Sequence, residues 1–354
     1  MNVILACGGT GGHVYPAVAI AEVLKSLGHS CDFVGRQGSL EDKIISSEWN
    51  FHHNEAYPLV RGKLVENLKL PIRVLGSVFQ AYKTIRKLQP QIVIGTGGYV
   101  SLPVILGAFL AGKTIYLQEQ NAVAGVANKI GAIFASKVFV SSDAACLEFF
   151  KGSAENIGNP IRQIPEPKEL KRPSCYDGFN KIVMVVGGSQ GALGVNTKVE
   201  EILDRITPEI LLYWQVGSRN ISKYQDLEKK YPNIKVVDYI NDIYAYMVHA
   251  DVLVSRAGAS TIAEILCLEK ASILIPFPYA TANHQEANAR VLESAGAAIV
   301  ELESEKNQIF EKIIAILKSP DIKSKMESAA KSLSKPSAAI EIVERIQELE
   351  GSQK

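Results

Sequence analysis

Short apolar runs rich in β-branched residues alternate along this 354-residue chain with longer segments of helical periodicity. This alternation is typical of parallel sheets built from strand–helix–strand units. The predicted strands of the first half are Val3–Ala6, Cys31–Gly35, Ile92–Gly95, Thr114–Leu117 and Val138–Ser141. Those of the second half are Ile182–Val186, Leu211–Val216, Ile234–Val237, Val252–Ser255 and Ser272–Ile275. Each half contains a strand that runs into a glycine-rich turn and then a helix, so the sequence predicts an α/β protein with two Rossmann-like units in tandem.

Two proline-containing breaks divide the chain. A chain of this length is long for a single core, and two domains are the natural expectation. Asn159–Ile161 and the proline-rich connector that ends at Pro173 mark the first boundary, which gives domains of residues 1–160 and 161–335. The second break is Lys335–Pro336, and the helical pattern after it fits packing on either domain. We expect hinges at both breaks.

Composition narrows the class of protein. The formal net charge of +1 argues against a nucleic-acid partner, because general nucleic-acid binders are usually clearly basic. The five cysteines are far apart and show no spacing typical of a zinc site or a disulfide framework, which favours a reducing cytoplasm. No apolar run reaches the ~20 residues that span a bilayer, and the N-terminus does not resemble a signal peptide. We therefore expect a protein that is soluble or peripheral to a membrane.

Three glycine-rich loops follow predicted strands, at Cys7–His13, Gly95–Tyr99 and Gly187–Ala192. Glycines let backbone N–H groups approach a diphosphate, and the N-terminus of the following helix adds partial positive charge. The first loop lacks the third glycine of the dinucleotide-binding pattern, which argues against a nicotinamide dehydrogenase. One such loop can be no more than a tight turn, but three at strand ends favour a ligand-binding cleft.

The segment Gly107–Thr114 satisfies the P-loop pattern in the wrong structural context. A working P-loop needs a strand before it and a helix after it. Here Leu102–Leu110 is predicted as an apolar helix and Thr114–Leu117 as a strand, so the order is inverted. We do not expect ATP hydrolysis at this segment.

The second half adds two polar motifs at predicted strand ends. Ser255–Thr261 exposes a helix N-terminus, and Glu264, one turn further on, is placed to accept hydrogen bonds from two ribose hydroxyls. The alternative is a capping box in which Ser260 or Thr261 pairs with Glu264. Asn283–Glu286 opens another helix at the same edge of the sheet. Since α/β proteins bind ligands at the carboxyl ends of parallel strands, these polar residues are expected to face the site.

In their order along the chain, these motifs resemble those of the MurG family of bacterial transferases. The matching segments are Gly8–His13, Gly97–Ser101, Glu119–Asn121, Gly158–Arg162, Gly187–Ala192, Arg256–Glu264 and His284–Gln285. The resemblance covers essentially the whole chain, and the combination is far more specific than any single motif. It implies a GT-B fold, in which two Rossmann-like domains with parallel sheets face a central cleft. It also implies that the C-terminal helix, residues 336–354, packs back on the N-terminal domain.

The resemblance implies an activity as well. Members of this family are inverting glycosyltransferases that move N-acetylglucosamine from UDP-N-acetylglucosamine to the 4-hydroxyl of undecaprenyl-diphosphate-linked MurNAc-pentapeptide. They act in peptidoglycan synthesis, as peripheral proteins at the cytoplasmic face of the bacterial cell membrane. The N-terminal domain would hold the acceptor and the C-terminal domain the UDP-sugar. The alternatives are a UDP-N-acetylglucosamine 2-epimerase, a transferase for another UDP-sugar, and a non-catalytic UDP-sugar sensor or scaffold for other cell-wall enzymes.

Motif by motif, the resemblance assigns binding residues. The sugar-nucleotide or acceptor-diphosphate region would be lined by Thr10, Gly11 and Gly12. The acceptor diphosphate would also meet Gly97, Gly98 and Tyr99. The donor contacts would be Asn121, Arg162, Ser189, Ile240, Ala259, Ser260, Thr261, Ile262, Ala263, Glu264 and Gln285. Of these, Ile240 would present backbone groups to uracil, Glu264 would take the ribose hydroxyls and Gln285 would contact the sugar. Ser189 would hold the diphosphate, and Gln118 departs from the histidine of many relatives.

The implied reaction needs a base near the acceptor hydroxyl and stabilisation of the departing diphosphate. His13 in the first glycine loop is the predicted base, because histidine titrates near neutrality. In the alternative, His13 only positions the acceptor diphosphate or caps the helix. Glu119 is the second candidate base, or else a structural carboxylate. Helix dipoles and Arg162 would stabilise the leaving UDP. With no Asp-x-Asp motif and no metal-like cluster, we expect neither a bound metal nor a cofactor.

A basic and apolar segment begins at Pro71 and is predicted to be a helix. Its apolar residues include Ile72, Leu75 and Phe79, and its basic residues include Arg73, Lys83 and Arg86. An apolar patch with a basic rim suits an anionic membrane surface. The alternative is a helix whose apolar side faces the core. The polyprenyl chain of the implied acceptor favours membrane docking.

Overall fold

The computed structural model describes residues 1–57, 70–188 and 191–352, and the chain divides into two compact units. Unit 1 comprises Met1–Arg162 and Pro336–Lys354, and unit 2 comprises Gln163–Lys335. The first division falls two residues beyond the predicted boundary. The segment after the second proline break belongs to unit 1.

Unit 1 contains a seven-stranded parallel sheet in the order β3-β2-β1-β4-β5-β6-β7. Its strands are β1 (Asn2–Ala6), β2 (Ser30–Gly35), β3 (Asn50–His53), β4 (Ile92–Gly95), β5 (Thr114–Glu119), β6 (Lys137–Val140) and β7 (Ala154–Asn156). Its described helices are α1 (Gly11–Ser26), α2 (Leu40–Ile45), α3 (Leu70–Leu88), α4 (Ser101–Leu110), α5 (Val126–Gly131), α6 (Asp143–Cys146) and the C-terminal α15 (Ala338–Gly351).

Both faces of this sheet are packed against helices. Because successive side chains of a strand point to opposite faces, each central strand contributes to two buried clusters. Leu5 of β1 packs in a cluster with Leu24 of α1 and Ile342 of α15, all fully buried. On the other face, Ile4 packs in a cluster with Ile85 of α3 and with residues of α4. The C-terminal helix is therefore part of the core of unit 1.

Unit 2 contains a six-stranded parallel sheet in the order β10-β9-β8-β11-β12-β13. Its strands are β8 (Lys181–Val186), β9 (Ile210–Gln215), β10 (Ile234–Val237), β11 (Val252–Ser255), β12 (Ser272–Leu274) and β13 (Ala298–Val300). Its described helices are α7 (Leu193–Glu200), α8 (Ile221–Tyr224), α9 (Leu227–Lys230), α10 (Ile243–His249), α11 (Ala259–Cys267), α12 (His284–Ser294), α13 (Ile309–Lys318) and α14 (Pro320–Leu333). Buried clusters on the two faces of the sheet form its core.

All ten predicted strands are present, with ends shifted by at most two residues. Three strands were not predicted: β3, β7 and β13, and each lies at an edge of its sheet. Edge strands need fewer apolar residues, and Asn50–His53 and Ala154–Asn156 have no apolar run that marks them. The first helix begins at Gly11, inside the segment Cys7–His13 that was predicted to be a loop.

The rejected P-loop segment is confirmed as inverted, since α4 precedes it and β5 follows it. Among the described residues, no helix combines the length and apolar character needed to cross a bilayer.

Strand register places the predicted motifs of unit 1 at one edge of the sheet. Ala6 of β1 pairs with Gly95 of β4, and Gly95 pairs in turn with Leu117 of β5. The two glycine loops and the segment that begins at Gln120 therefore leave the sheet side by side.

Candidate active site

The first glycine loop of unit 1 leads into the exposed start of α1. Gly9, Thr10 and Gly12 are exposed, and the N-cap residue Thr10 makes no side-chain hydrogen bond to the helix. The first backbone N–H groups of a helix have no partner within it, and partial positive charge collects there. No acidic residue stands in the first turn of α1. Thr10, Gly11 and Gly12 thus form a helix N-terminus of the kind that binds phosphate groups.

The second glycine loop packs against the first. Gly97 and Gly98 have φ angles of +97° and +84°, which glycine adopts far more readily than other residues. A β-carbon on Gly97 would lie 3.0 Å from Nδ1 of His13, and one on Gly9 would lie 3.2 Å from the ring of Tyr99. The residues predicted for the acceptor diphosphate therefore lie beside His13 and the first loop.

The imidazole of His13 is oriented by two acceptors. It is half-buried, and its Nδ1 lies 3.1 Å from the carbonyl oxygen of Thr96 and 2.9 Å from Oε1 of Gln120. A carbonyl oxygen cannot donate, so Nδ1 carries the proton. In the neutral ring the lone pair is then on Nε2, to which no described residue is hydrogen-bonded. The hydroxyl of Thr96 donates to the carbonyl oxygen of His13 at 2.7 Å, which fixes the two segments together.

Glu119 ends β5 as a buried carboxylate, 1% exposed, whose two oxygens each accept two hydrogen bonds. Oε1 accepts from the backbone N–H and the side-chain amide of Asn121, at 3.0 and 3.1 Å. Oε2 accepts from the N–H of Gly125 at 3.0 Å and from the amide of Asn128 at 2.9 Å. This arrangement organises the loop from Asn121 to Asn128 and favours the structural reading of Glu119 over the base.

Gln118, the position that departs from the family pattern, lies in a buried amide network. Its backbone carbonyl accepts from the amide of Asn128 at 3.0 Å, and its side-chain amide donates to Asn159 at 3.4 Å. Gln120 donates to the side chain of Gln118 and, at 2.7 Å, to the carbonyl oxygen of Thr96. The network joins the Glu119 loop to the acceptors that orient His13.

Two residues predicted to contact the donor lie in unit 1. Asn121 is held by Glu119 at the start of its loop. Arg162 is half-exposed at the end of the unit, where its guanidinium lies 5.5 Å from the ring centroid of Tyr15 and 3.8 Å from the carboxylate of Glu22, both on α1.

Unit 2 has a pocket of about 840 Å³ at the carboxyl edge of its sheet. Gly187 and Gly191 of the third glycine loop line it, together with the start of α7, with Arg256 after β11 and with Gln285 of α12. Ser189, predicted to hold the diphosphate, lies outside the described residues. The pocket thus joins the third loop and the predicted sugar contact in one cavity.

Gln285 is positioned by a strained turn. Its Oε1 accepts from the backbone N–H of Phe277 at 3.0 Å, which fixes the orientation of its amide. Ala282 and Asn283, just before α12, have φ angles of +51° and +53°. Such angles are uncommon outside glycine, and they tend to occur where function constrains the backbone.

Arg256 and Glu303 form an ion pair in the wall of this pocket, with exposures of 14% and 22%. Nη1 of Arg256 also donates to the carbonyl oxygens of Ile275 and Pro276, at 3.2 Å each. Sequence reasoning gave neither residue a role. Arg256 could have been predicted as a site residue from the strand-end motif that contains it, whereas nothing in the local sequence marks Glu303.

The predicted ribose site lies on α11. The residues Ala259, Ser260, Thr261, Ile262, Ala263 and Glu264 form the beginning of this helix. The capping-box alternative is wrong, because the N-cap is Gly258 without a side-chain bond and Oγ of Ser260 is buried with no hydrogen-bond partner. Ile240, predicted to meet uracil, is 5% exposed and lies three residues after β10.

Glu264 accepts a hydrogen bond from the phenol of Tyr244 at 3.2 Å. Burial raises the pKa of Glu264 to about 7, and the hydrogen bond from Tyr244 opposes that rise. A carboxyl group in this position changes its protonation state close to neutrality. Tyr244 was not predicted as a site residue.

Helix α3 of unit 1 presents its apolar patch outward. Ile72, Leu75 and Phe79 are 75%, 69% and 57% exposed, while Val78 and Ile85 face the core. The alternative of a helix that buries this patch in the core is therefore wrong for these three residues. The basic residues Arg73, Lys83 and Arg86 are exposed on the same helix. Nζ of Lys83 lies 4.4 Å from the ring centroid of Phe79.

Known proteins match both units. Residues 3–140 match the Glycosyltransferase family 28 N-terminal domain, and residues 182–342 match the Glycosyltransferase family 28 C-terminal domain. A relative from Caldicellulosiruptor saccharolyticus is 37% identical over 358 residues, which cover 96% of this chain and 95% of the relative. That relative is named UDP-N-acetylglucosamine–N-acetylmuramyl-(pentapeptide) pyrophosphoryl-undecaprenol N-acetylglucosamine transferase. The chain belongs to the MurG family of glycosyltransferase family 28.

Solved structures agree with this membership. The crystal structure of Acinetobacter baumannii MurG is 26% identical, has a TM-score of 0.80, and the match covers 98% of this chain and 99% of that one. A putative UDP-N-acetylglucosamine 2-epimerase from Listeria monocytogenes has a TM-score of 0.68 at 14% identity, with 99% and 97% coverage, which shows a shared fold only. The predicted GT-B fold and the MurG resemblance are both confirmed.

Among the described residues, no group of three or more His, Cys, Asp or Glu side chains is arranged to hold a metal ion.

Proposed function

We propose that this chain transfers N-acetylglucosamine from UDP-N-acetylglucosamine to the 4-hydroxyl of undecaprenyl-diphosphate-linked MurNAc-pentapeptide, with inversion at the anomeric carbon. Family membership supports the reaction, since the MurG-named relative matches at 37% identity over nearly the whole of both chains. The observation that carries the chemistry is His13, whose ring is held by Thr96 and Gln120 with its lone pair on Nε2, beside two glycine loops.

On the acceptor side, the loops of unit 1 hold the substrate. The backbone N–H groups of Gly11 and Gly12, at the N-terminus of α1, bind the acceptor diphosphate together with the loop of Gly97, Gly98 and Tyr99. Nε2 of His13 accepts the proton of the acceptor's 4-hydroxyl group while the oxygen of that hydroxyl bonds to the anomeric carbon. General-base catalysis of this kind contributes ~10²–10⁴-fold to the rate.

On the donor side, Gln285 lines the large pocket of unit 2, whereas Glu264 lines a smaller cavity at the ends of β8 and β11. Glu264 takes the ribose hydroxyls, backbone groups at Ile240 meet uracil, and Gln285 contacts the sugar. The bond from the anomeric carbon to the phosphate oxygen breaks, and UDP leaves with its electron pair. The third glycine loop, the N-terminus of α7 and cationic Arg162 and Arg256 offset the charge that develops on the diphosphate.

Glu119 serves this site as a structural residue. All four of its hydrogen bonds go to the loop from Asn121 to Asn128, and a carboxylate so engaged has no free lone pair directed at a substrate. It fixes Asn121, the predicted donor contact, and through Asn128 the backbone of Gln118. The proposed base is therefore His13 rather than Glu119.

The exposed patch of α3 is the proposed membrane contact. Ile72, Leu75 and Phe79 would enter the headgroup region of the cytoplasmic leaflet, while Arg73, Lys83 and Arg86 meet anionic lipid. The lipid-linked acceptor stays in the membrane. Docking of α3 on the membrane surface would bring the enzyme to that acceptor.

Release of UDP from UDP-N-acetylglucosamine, measured with and without a short-chain analogue of the lipid-linked acceptor, tests the proposal. We expect UDP to appear only with the acceptor, together with one labelled sugar per UDP on the lipid. Conversion to the 2-epimer or UDP release without acceptor would replace this proposal by the epimerase. Donor binding without any turnover would favour the sensor.

A further inference from the structure

The carboxyl group of Glu264 has an unusual environment at the edge of unit 2's sheet. It faces a small cavity of about 30 Å³ whose other walls are largely apolar, with Val186 of β8, Leu253 of β11 and Ile243 of α10 among them. The only hydrogen bond to the carboxyl group from the described residues comes from Tyr244, the second residue of α10. Its other oxygen is left for a ligand.

Among the described residues, the groups around Glu264 offer no compensating charge. Strands β8 and β11 contribute no ionisable side chain to the cavity, and α10 contributes Tyr244. On α11 itself, the thiol of Cys267 lies close enough for Glu264 to raise its pKa. Helix α14 packs on α11, but its Lys323 is paired with Asp251 and with Glu327. Burial thus dominates, and the pKa of Glu264 rises to about 7.

We propose that Glu264 takes the donor's ribose hydroxyls only as a carboxylate, that donor binding therefore expels a proton to solvent, and that Tyr244 is the positioning residue that holds this carboxylate ready. The inference rests on the proposed function, in which Glu264 is the ribose contact. It adds a proton to the binding step and assigns a role to Tyr244.

The ionised and the protonated forms of Glu264 differ in how many hydrogen bonds they can accept. A carboxylate accepts hydrogen bonds only, so Tyr244 can occupy one oxygen while both ribose hydroxyls donate to the remaining lone pairs. A protonated carboxyl group must donate from one oxygen, which leaves too few acceptor lone pairs for Tyr244 and both ribose hydroxyls together. Each hydroxyl that donates to Glu264 favours the ionised form, so the pKa falls when the donor binds.

The affinity for the donor is therefore expected to depend on pH. Because the ionised form binds, donor affinity is complete above the pKa of free Glu264 and declines as the pH falls through it. Well below that pKa, each further unit weakens binding about tenfold, until the lower pKa of the complex is reached. The proton lost by Glu264 goes to the buffer.

Calorimetry with UDP-N-acetylglucosamine in two buffers of different ionisation enthalpy measures that proton. The diphosphate of this ligand is esterified at both ends and does not titrate near neutrality. We expect release of ~0.5 proton per site at about pH 7 for the wild type, and none for Glu264→Gln, whose amide cannot ionise. Binding without proton release would overturn the inference and leave the proposed function standing. No binding by the wild type at all would contradict the donor assignment itself.

Tyr244→Phe separates positioning from mere packing. Loss of the phenol raises the pKa of free Glu264, so the decline of affinity should begin at higher pH than in the wild type, while the two proteins bind alike at about pH 9, where Glu264 is ionised in both. Tyr246→Phe, the same change two residues along α10 in the aromatic cluster with Tyr213, should follow the wild-type curve. A loss of affinity that is equal at every pH would mean that Tyr244 only packs, and would overturn its role.

Discussion

Gly98 packs so closely on the carbonyl oxygen of Gly8 that a β-carbon at position 98 would overlap that oxygen. The two residues follow β4 and β1, whose ends pair through Gly95 and Ala6. A β-carbon on Gly98 would also lie 3.4 Å from the ring of His13. This contact therefore sets the distance between the first two glycine loops at the place where the proposed base sits.

Gly98→Ala is expected to damage both stability and turnover. Position 98 has a φ of +84° and no room for a methyl group, and the two effects together should cost about 2–4 kcal/mol of unfolding free energy. Gly112→Ala is the matched control, because Gly112 has a φ of +67° but no atom within 4 Å of an added β-carbon. It should lose only about 1 kcal/mol. Denaturant unfolding measures both, and equal losses would refute the packing argument.

The sheets and the glycine loops could be predicted because they depend on local patterns. A central parallel strand is buried on both faces, so β1, β4 and β8 read as continuous apolar runs, and the glycines after them are visible in the sequence. The edge strands β3 and β7 lack this pattern, which is why they were missed, whereas β13 is apolar but only three residues long. The start of α1 was misplaced because two glycines and a histidine do not resemble a helix.

Glu119→Gln should destabilise unit 1 rather than remove a base. One of its oxygens becomes an NH₂ group that faces two N–H donors, either those of Asn121 or those of Gly125 and Asn128. We expect a loss of about 1.5–3 kcal/mol in unfolding free energy and a raised KM for the donor. The exposed Glu341→Gln is the control and should change neither. Abolished turnover with unchanged stability would instead restore Glu119 as the base.

Glu301 holds β13 to its neighbours through a buried ion cluster. Its side chain, 1% exposed, pairs with Lys198 of α7 at 2.7 Å and with Lys312 of α13 at 2.5 Å. Glu301→Ala leaves two lysines without their partner, one of them 6% exposed, and should cost about 3–5 kcal/mol. Glu311→Ala breaks an exposed pair with Arg205 and should leave the denaturation midpoint unchanged. Similar midpoints for the two variants would contradict the role of burial.

Leu75→Ser combined with Phe79→Ser tests the proposed membrane contact. Both side chains are more than half exposed, so folding should be unaffected, while sedimentation with anionic vesicles should weaken by roughly tenfold or more. Ile340→Ser removes an apolar side chain, 48% exposed, from α15 and should bind as the wild type does. Vesicle binding that survives the double substitution would place the membrane contact elsewhere.

The contacts within the sites could not be predicted in the same way. The ion pair of Arg256 with Glu303 and the hydrogen bond of Tyr244 with Glu264 join residues from different strand–helix units. Their chemistry depends on which loops the sheet order brings together, and no local pattern encodes that order. Likewise, the motif alone did not show that the proton of His13 is on Nδ1, because Thr96 and Gln120 lie 83 and 107 residues away.

The most direct test of the account is labelled sugar transfer by His13→Ala beside the wild type, with donor binding measured on both proteins. We predict acceptor-dependent transfer by the wild type, a ~10²–10⁴-fold fall in turnover for the variant, and unchanged affinity for UDP-N-acetylglucosamine, because the proposed nucleotide contacts do not include His13. Transfer by the variant within a few fold of the wild type would contradict the assignment of His13 as the base. Failure of the folded wild type to transfer any sugar to the lipid-linked acceptor would contradict the proposed function.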